Sequence, residues 1–255
     1  MLLKMQNRIQ EKLIELEQQY NINIIFACES GSRAWGFPSP NSDYDVRFIY
    51  IHPIDKYLSI DNPPFHLTFP IDDELDLHGW DLKKTLQLIR KSNTTPFEWL
   101  QSPIIYQQNN AIAEPLWQLC AEFFNARGNI FHYLGIAKSA WQSSEGQQIG
   151  VKKLFYVLRP LLCAKWCLEK QQIAPMAIAP LLTLLPENLR NKINKIIEQK
   201  ATMAESQLIA IDPEILLFIE QSMNDILQQV APITERHFKP AKLDQFFIKT
   251  LMDLQ

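Results

Sequence analysis

The spacing of apolar positions changes along the chain, and that change divides it. Residues 3–20 set Met5, Ile9, Leu13, Leu16 and Tyr20 at three- and four-residue intervals, which predicts an amphipathic helix with one buried stripe. Ile24 to Cys28, IIFAC, is a continuous apolar run and reads as a buried strand. DYDVRFIY then alternates as a half-buried strand does, with Asp43, Asp45 and Arg47 on one face and Tyr44, Val46, Phe48 and Tyr50 on the other. HPIDKYLSI predicts a short helical turn with Pro53 at its first position, and FHLTFPIDDELDLHGW two short strands around Asp72-Asp73. LKKTLQLIRKSN predicts a helix capped by Asp81, with Leu82, Leu86 and Ile89 inward and Lys83, Lys84, Arg90 and Lys91 toward solvent. Asn93 to Leu100 reads as a bend and short helix with Pro96 near its start, and Pro103 to Tyr106 as a brief strand.

From about Asn109 the strand-like runs give way to long amphipathic segments. Helices are expected near 112–126, 129–143, 149–170, 187–206, 213–229 and 241–254, punctuated by Pro180, Pro186, Pro213, Pro232 and Pro240. The expected fold class is therefore α+β: a small mixed β-sheet with packed helices over 1–108, then an all-helical C-terminal region over 109–255.

Composition narrows this only a little. A chain of 255 residues with 47% hydrophobic and 21% charged residues buries a substantial core. A formal net charge of -3 supplies no global attraction to nucleic acid or an acidic membrane, so a nucleic-acid substrate would need a local basic patch. Cys28, Cys120, Cys163 and Cys167 lie in apolar surroundings with no CxxC pair, as buried thiols in a reducing compartment do. With no apolar run of bilayer length and no signal-like N-terminus, a cytoplasmic protein is expected.

The chemistry concentrates between Cys28 and Tyr50. Two carboxylates on one strand face, Asp43 and Asp45, repel unless a cation lies between them, and hard oxygen donors suit Mg²⁺ or Mn²⁺. Ahead of them Ser30-Gly31-Ser32 opens a turn into a short helix; glycine admits close backbone approach, helix-start N–H groups attract phosphate, and two serine hydroxyls add donors. Alone, an Asp-x-Asp is an ordinary solvated strand edge and a Gly-Ser an ordinary turn. Their order after a buried strand is what points to a nucleoside triphosphate site.

Gly31-Ser32 followed by Ser42-Asp43-Tyr44-Asp45-Val46 resembles the DNA polymerase β-like nucleotidyltransferases. More narrowly, GSRAWGFPSPNSDYDVRFIY, with LDLHGWDLKKTLQLIRKSN, FEWLQSPIIY and KKLFYVLRPLL, resembles the branch called RNA repair pathway DNA polymerase β family proteins, over most of the chain. The resemblance implies a nucleotidyltransferase catalytic core over 1–108, two Mg²⁺ or Mn²⁺ ions, and a third carboxylate on a later strand. Leu75-Asp76-Leu77 has the apolar-Asp-apolar pattern that such a ligand requires, whereas Asp72, Asp73 and Glu74 read as loop or strand-entry residues and Asp81 as a cap. Asp43, Asp45 and Asp76 are thus the expected catalytic and metal-binding residues.

Nucleotide-binding groups are expected at Ser30, Gly31, Ser32, Arg33 and Arg47, and on the helix VKKLFYVLRPLL. There Lys152, Tyr156 and Arg159 follow at i, i+4 and i+7, a row suited to phosphates and a base, with Lys153 offset by about 100° as a substitute. The competing reading is a core helix whose charged heads reach outward. His78, on the same strand face as Asp76, reads either as a neighbour of the metal site or as a hydrogen-bonded structural histidine.

The implied reaction moves a nucleoside monophosphate from a triphosphate to an acceptor hydroxyl. The branch implies an RNA 3′ end; a protein hydroxyl is the main alternative partner, and a small-molecule hydroxyl the third. A non-catalytic nucleotide- or RNA-binding module would be expected to have lost part of the carboxylate set, and all three aspartates are present.

Overall fold

The structure is a computed structural model describing residues 2–71, 74–142, 148–204 and 207–254. Asp72 and Asp73, and the ends of the helices expected to reach residues 143 and 206, lie outside the described residues. In chain order the first elements are α1 (Leu2–Tyr20), β1 (Asn23–Glu29), α2 (Gly31–Trp35), β2 (Tyr44–Ile51), α3 (Ile54–Leu58), β3 (His66–Thr68) and β4 (Leu75–Asp81). They are followed by α4 (Leu82–Arg90), α5 (Thr94–Trp99), β5 (Ile105–Gln108), α6 (Asn110–Glu122), α7 (Ala126–Gln142), β6 (Gln148–Gly150) and α8 (Val151–Lys170). The chain ends with α9 (Ile178–Leu181), a 3₁₀ turn (Leu182–Leu184), α10 (Glu187–Lys200), β7 (Leu208–Ala210), α11 (Pro213–Val230) and α12 (Ala241–Asp253).

Two compact units interleave in the sequence. The first takes residues 1–31, 43–123 and 237–255, and the second residues 32–42 and 124–236. The first is built on a five-stranded mixed sheet in the order β3-β4-β2-β1-β5. β2 and β4 run parallel and the other neighbours antiparallel. Alternation along these strands buries one face: Ile24, Ala27, Val46, Phe48, Tyr50, Leu75 and Leu77 form a core with Ile9, Leu13 and Leu16 of α1. The helix stripe and the strand period thus meet on one surface, and burying side chains of this size stabilises the unit by about 1.5–3 kcal/mol each.

Local chemistry sets the boundaries. Asp81 ends β4 and caps α4, its side chain accepting the Lys83 N–H at 2.7 Å; Asn93 does the same for α5 through Thr95. Gly79 in β4 is required by packing, because a Cβ there would lie 2.1 Å from the Phe48 ring.

In the second unit α7 and α8 pack together with α11, and Leu154, Phe155, Leu158, Leu161 and Leu162 of α8 are fully buried. This unit also holds a two-stranded antiparallel sheet, β6 with β7, amid the helices. Strands of three residues carry too few alternating positions to announce themselves. Among the described residues no helix is long and apolar enough to cross a membrane.

Candidate active site

The first unit carries the aspartates. In the parallel pairing of β2 with β4, Asp45 stands opposite Asp76. Because Val46, Leu75 and Leu77 point into the α1 core, the intervening Asp45, Arg47 and Asp76 take the other, half-open face. Arg47 lies between the two carboxylates. Its Nη2 donates to Asp45 Oδ1 at 2.9 Å and to Asp76 Oδ2 at 2.7 Å, while Nη1 donates to the Asp76 carbonyl at 2.9 Å. The cation that relieves the repulsion of this pair is therefore supplied by the chain itself.

Asp43 differs from its neighbour at 45. The strand begins at Tyr44, whose N–H donates to the Glu74 carbonyl at 2.7 Å, and Asp43 stands just ahead of it, exposed to solvent. Among the described residues no group of three or more His, Cys, Asp or Glu side chains forms a metal-holding cluster. Asp45 and Asp76 nevertheless fit a divalent ion: they are hard oxygen donors already sharing one cation, and Mg²⁺ needs only one or two carboxylates when substrate phosphates complete its shell.

Gly31 fixes where Asp45 sits. It adopts φ +60°, and a Cβ added there would fall 1.9 Å from Asp45 Oδ2, so the carboxylate lies directly on the glycine backbone. The Ser30 N–H donates to the Asp45 carbonyl at 2.8 Å, leaving the Ser30 hydroxyl as the donor that this residue can offer a phosphate.

Behind Asp45 is a residue that sequence reasoning passed over. Glu29 is fully buried at the end of β1; its carboxylate accepts the Asp45 N–H at 2.8 Å and the Tyr106 hydroxyl. Its carbonyl accepts from Ser102 Oγ at 2.6 Å. The available signal was a carboxylate closing the buried run IIFACE immediately before the turn.

The expected nucleotide-binding residues beyond Gly31, Arg47 apart, belong to the second unit. Ser32 Oγ donates to Ser42 Oγ at 3.0 Å, and Arg33 Nη2 to the Ser42 carbonyl at 2.5 Å, which closes residues 32–42 into a tied loop. Phe37 of that loop stacks on Phe155 of α8 with ring centroids 4.5 Å apart. The fully buried Lys200 donates to the Phe37 carbonyl at 2.8 Å and to Ser39 Oγ at 2.9 Å.

On α8, Lys152 and Tyr156 are exposed and Lys153 is half-buried. Arg159 is buried: its Nε donates to the Met176 carbonyl at 3.0 Å and its guanidinium lies 4.5 Å from the Trp35 ring centroid.

His78 follows Asp76 on the same face of β4. Its Nε2 accepts the Trp80 indole N–H at 2.7 Å and its Nδ1 meets Thr68 Oγ1 at 2.9 Å, an arrangement satisfied by the neutral Nδ1–H tautomer. Burial first, then the charges of Arg47, Lys84 and His66, hold its pKa down at about 4 against the opposing pull of Asp76.

The first unit thus sets two aspartates side by side on a mixed sheet, one of them against a Gly-Ser turn. The chain belongs to the RNA repair pathway DNA polymerase beta family, whose match spans residues 5–249. It is 37% identical over 255 residues to the uncharacterized protein YcgL of Bacillus subtilis (strain 168), covering 98% of both chains. Among solved structures it overlaps a nucleotidyltransferase-like protein from Exiguobacterium sibiricum 255-15 at 12% identity and a TM-score of 0.32. That overlap covers 87% of this chain and 74% of the other. Family membership supports a nucleotidyltransferase-like function.

Proposed function

We propose that this protein is a cytoplasmic, metal-dependent nucleotidyltransferase that transfers a nucleoside monophosphate from a nucleoside triphosphate to an acceptor hydroxyl, the 3′ end of an RNA. The observation that carries the reading is the placement of Asp45: paired with Asp76 across parallel strands, sharing Arg47 with it, and seated on the Gly31 backbone. The name of the family, which refers to RNA repair, supports RNA as the acceptor.

In this reading Asp43, Asp45 and Asp76 hold Mg²⁺ or Mn²⁺, two ions at full occupancy. Divalent ions held there supply charge neutralisation for the triphosphate and lower the pKa of the acceptor hydroxyl. The consecutive residues Ser30, Gly31, Ser32 and Arg33 receive phosphate oxygens. Lys152, Lys153 and Tyr156 are the exposed or half-exposed nucleotide-contacting groups of α8, and Arg159 acts from beneath by holding Trp35. A divalent ion held at the carboxylates would supply the charge neutralisation that Arg47 now gives them, and the guanidinium would then be available to phosphate oxygens. In functional terms residues 1–108 form the catalytic core and 109–255 the helical part, from which α6 and α12 contribute to the first unit.

The test is label transfer from each α-labelled ribonucleoside triphosphate, with Mg²⁺, to short RNAs with 3′-hydroxyl ends or to cell extract. Label on RNA is the expected result. It should disappear in the double variant Asp43→Asn, Asp45→Asn while the fold persists. Label on protein alone would replace this reading with protein nucleotidylation, and triphosphate binding without any transfer would replace it with a binding module.

A further inference from the structure

Beyond Asp76 the same face of β4 continues as a row of rings. His78 and Trp80 follow at successive same-face positions, about 6.6 Å apart along a strand. Exposed His66 on the neighbouring edge strand β3 lies nearly parallel to His78, with ring centroids 6.3 Å apart. Trp80 rests on Trp99 of α5 at 4.2 Å, which fixes its plane.

Lys84 of α4 extends its ammonium over the Trp80 ring, 4.8 Å from the centroid. Among the described residues Lys84 has no carboxylate partner, and burial alone lowers its pKa. The indole holds this ammonium in place without neutralising it, and the charge is available to a phosphate.

Resting on the nucleotidyl-transfer reading, we propose that His66, His78, Trp80 and Lys84 form the subsite for the acceptor, the 3′-terminal nucleotides of a single-stranded RNA. Bases stack on the ring row and a phosphodiester pairs with Lys84, so that the strand runs along β4 and ends beside Asp76. Rings interleaved with cations are how single strands are held without base readout. The row is continuous with the carboxylate pair, as an acceptor path must be. The ring nitrogens of His78 and Trp80 are already bonded to one another and to Thr68, so these two rings offer stacking faces rather than base-specific hydrogen bonds. A peptide would match the row only with aromatic and acidic side chains in register, whereas every nucleotide of an RNA carries both a flat base and a phosphate.

The experiment is fluorescence anisotropy of a short 5′-labelled oligoribonucleotide with a 3′-deoxy end, which cannot react, added to the full chain without triphosphate. Lys84→Gln should weaken binding several-fold and lower the slope of log affinity against log salt by about one. His66→Ala should weaken it by a similar factor. Trp80→Leu should cost about tenfold or more, with Trp80→Phe recovering most of it. Because Trp80 packs on Trp99, the two more exposed positions, 66 and 84, carry the test if Trp80→Leu does not fold. Unchanged affinity in both His66→Ala and Lys84→Gln overturns the proposal. So does an RNA that fails to bind wild type while label is transferred to protein. Variant-sensitive RNA binding without any label transfer would uphold this subsite and remove the transferase reading instead.

Discussion

A Cβ built on Gly31 would lie 1.9 Å from Oδ2 of Asp45, so this glycine and this carboxylate occupy one space. The usual explanation of a Gly-Ser turn is backbone freedom, and φ +60° at Gly31 does require it. The contact adds a second, independent requirement. Alanine at 31 would incur about 1–2 kcal/mol for the left-handed backbone and would also displace Asp45 from its place. Misplacing a reacting group by about 1 Å costs on the order of 100-fold in rate. We therefore expect Gly31→Ala to keep its fold and lose at least that factor in label transfer. Near-normal turnover would mean that Asp45 is not a metal ligand.

The pair Asp45 and Asp76 is held together by Arg47 rather than merely flanked by it. Arg47→Gln removes the cation and leaves two carboxylates facing across adjacent strands. The variant should unfold at lower temperature than wild type when divalent ions are chelated, because like charges then oppose the β2–β4 pairing. Adding Mn²⁺ should raise its midpoint by more than it raises that of wild type, since the ion no longer has to displace a guanidinium. Calorimetric scans with and without Mn²⁺ measure both effects. A metal-induced rise no larger than in wild type would show that Arg47 does not compete for the site.

Much of this arrangement was legible in the sequence, and the omissions have physical causes. The strand face shared by Asp45 and Arg47, the core face of Val46, Phe48 and Tyr50, and the Asp81 cap all follow from period and capping chemistry that operate within one element. The strand edge was less legible: Asp43 falls just outside β2, where pleat alternation no longer fixes its direction. Residues whose meaning comes from another part of the chain were invisible. Glu29 reads as a polar strand end, yet it is buried and accepts the hydroxyl of Tyr106, far along the chain. Lys200 reads as a solvated lysine in the last turn of α10 and is instead fully buried, holding the loop at Phe37 and Ser39. Arg159 likewise reads as a cation on an exposed row and is buried against Trp35.

Glu29 positions Asp45 through its backbone, and its removal should be felt in stability before chemistry. Glu29→Ala would leave the Asp45 N–H and the Tyr106 hydroxyl without their acceptor inside the protein. Each orphaned group costs about 1–3 kcal/mol. Tyr106→Phe removes only one of the two bonds, so it should cost about 1 kcal/mol. Urea unfolding of both variants checks the order. If Glu29→Ala is no less stable than Tyr106→Phe, the buried carboxylate is not what seats the start of β2.

His78 should make stability depend on pH in one window. Its folded pKa is depressed to about 4 from an ordinary 6.5, mainly by burial and then by Arg47. Between those values the unfolded chain binds a proton that the folded chain refuses, so stability rises with pH across the window. The contribution is fully present above about pH 6.5 and is lost progressively as the pH falls toward 4. Carboxylates elsewhere in the chain titrate toward the lower end of the same range, so the comparison must be with a variant rather than with a curve alone. His78→Gln keeps a polar side chain beside Trp80 and Thr68 but has no proton to take up. Its melting temperature should fall less than that of wild type between pH 6.5 and 5, where few carboxylates titrate. Parallel curves over that interval would show that His78 is protonated in the folded protein, and the neutral tautomer assigned from its bonds to Trp80 and Thr68 would then be wrong.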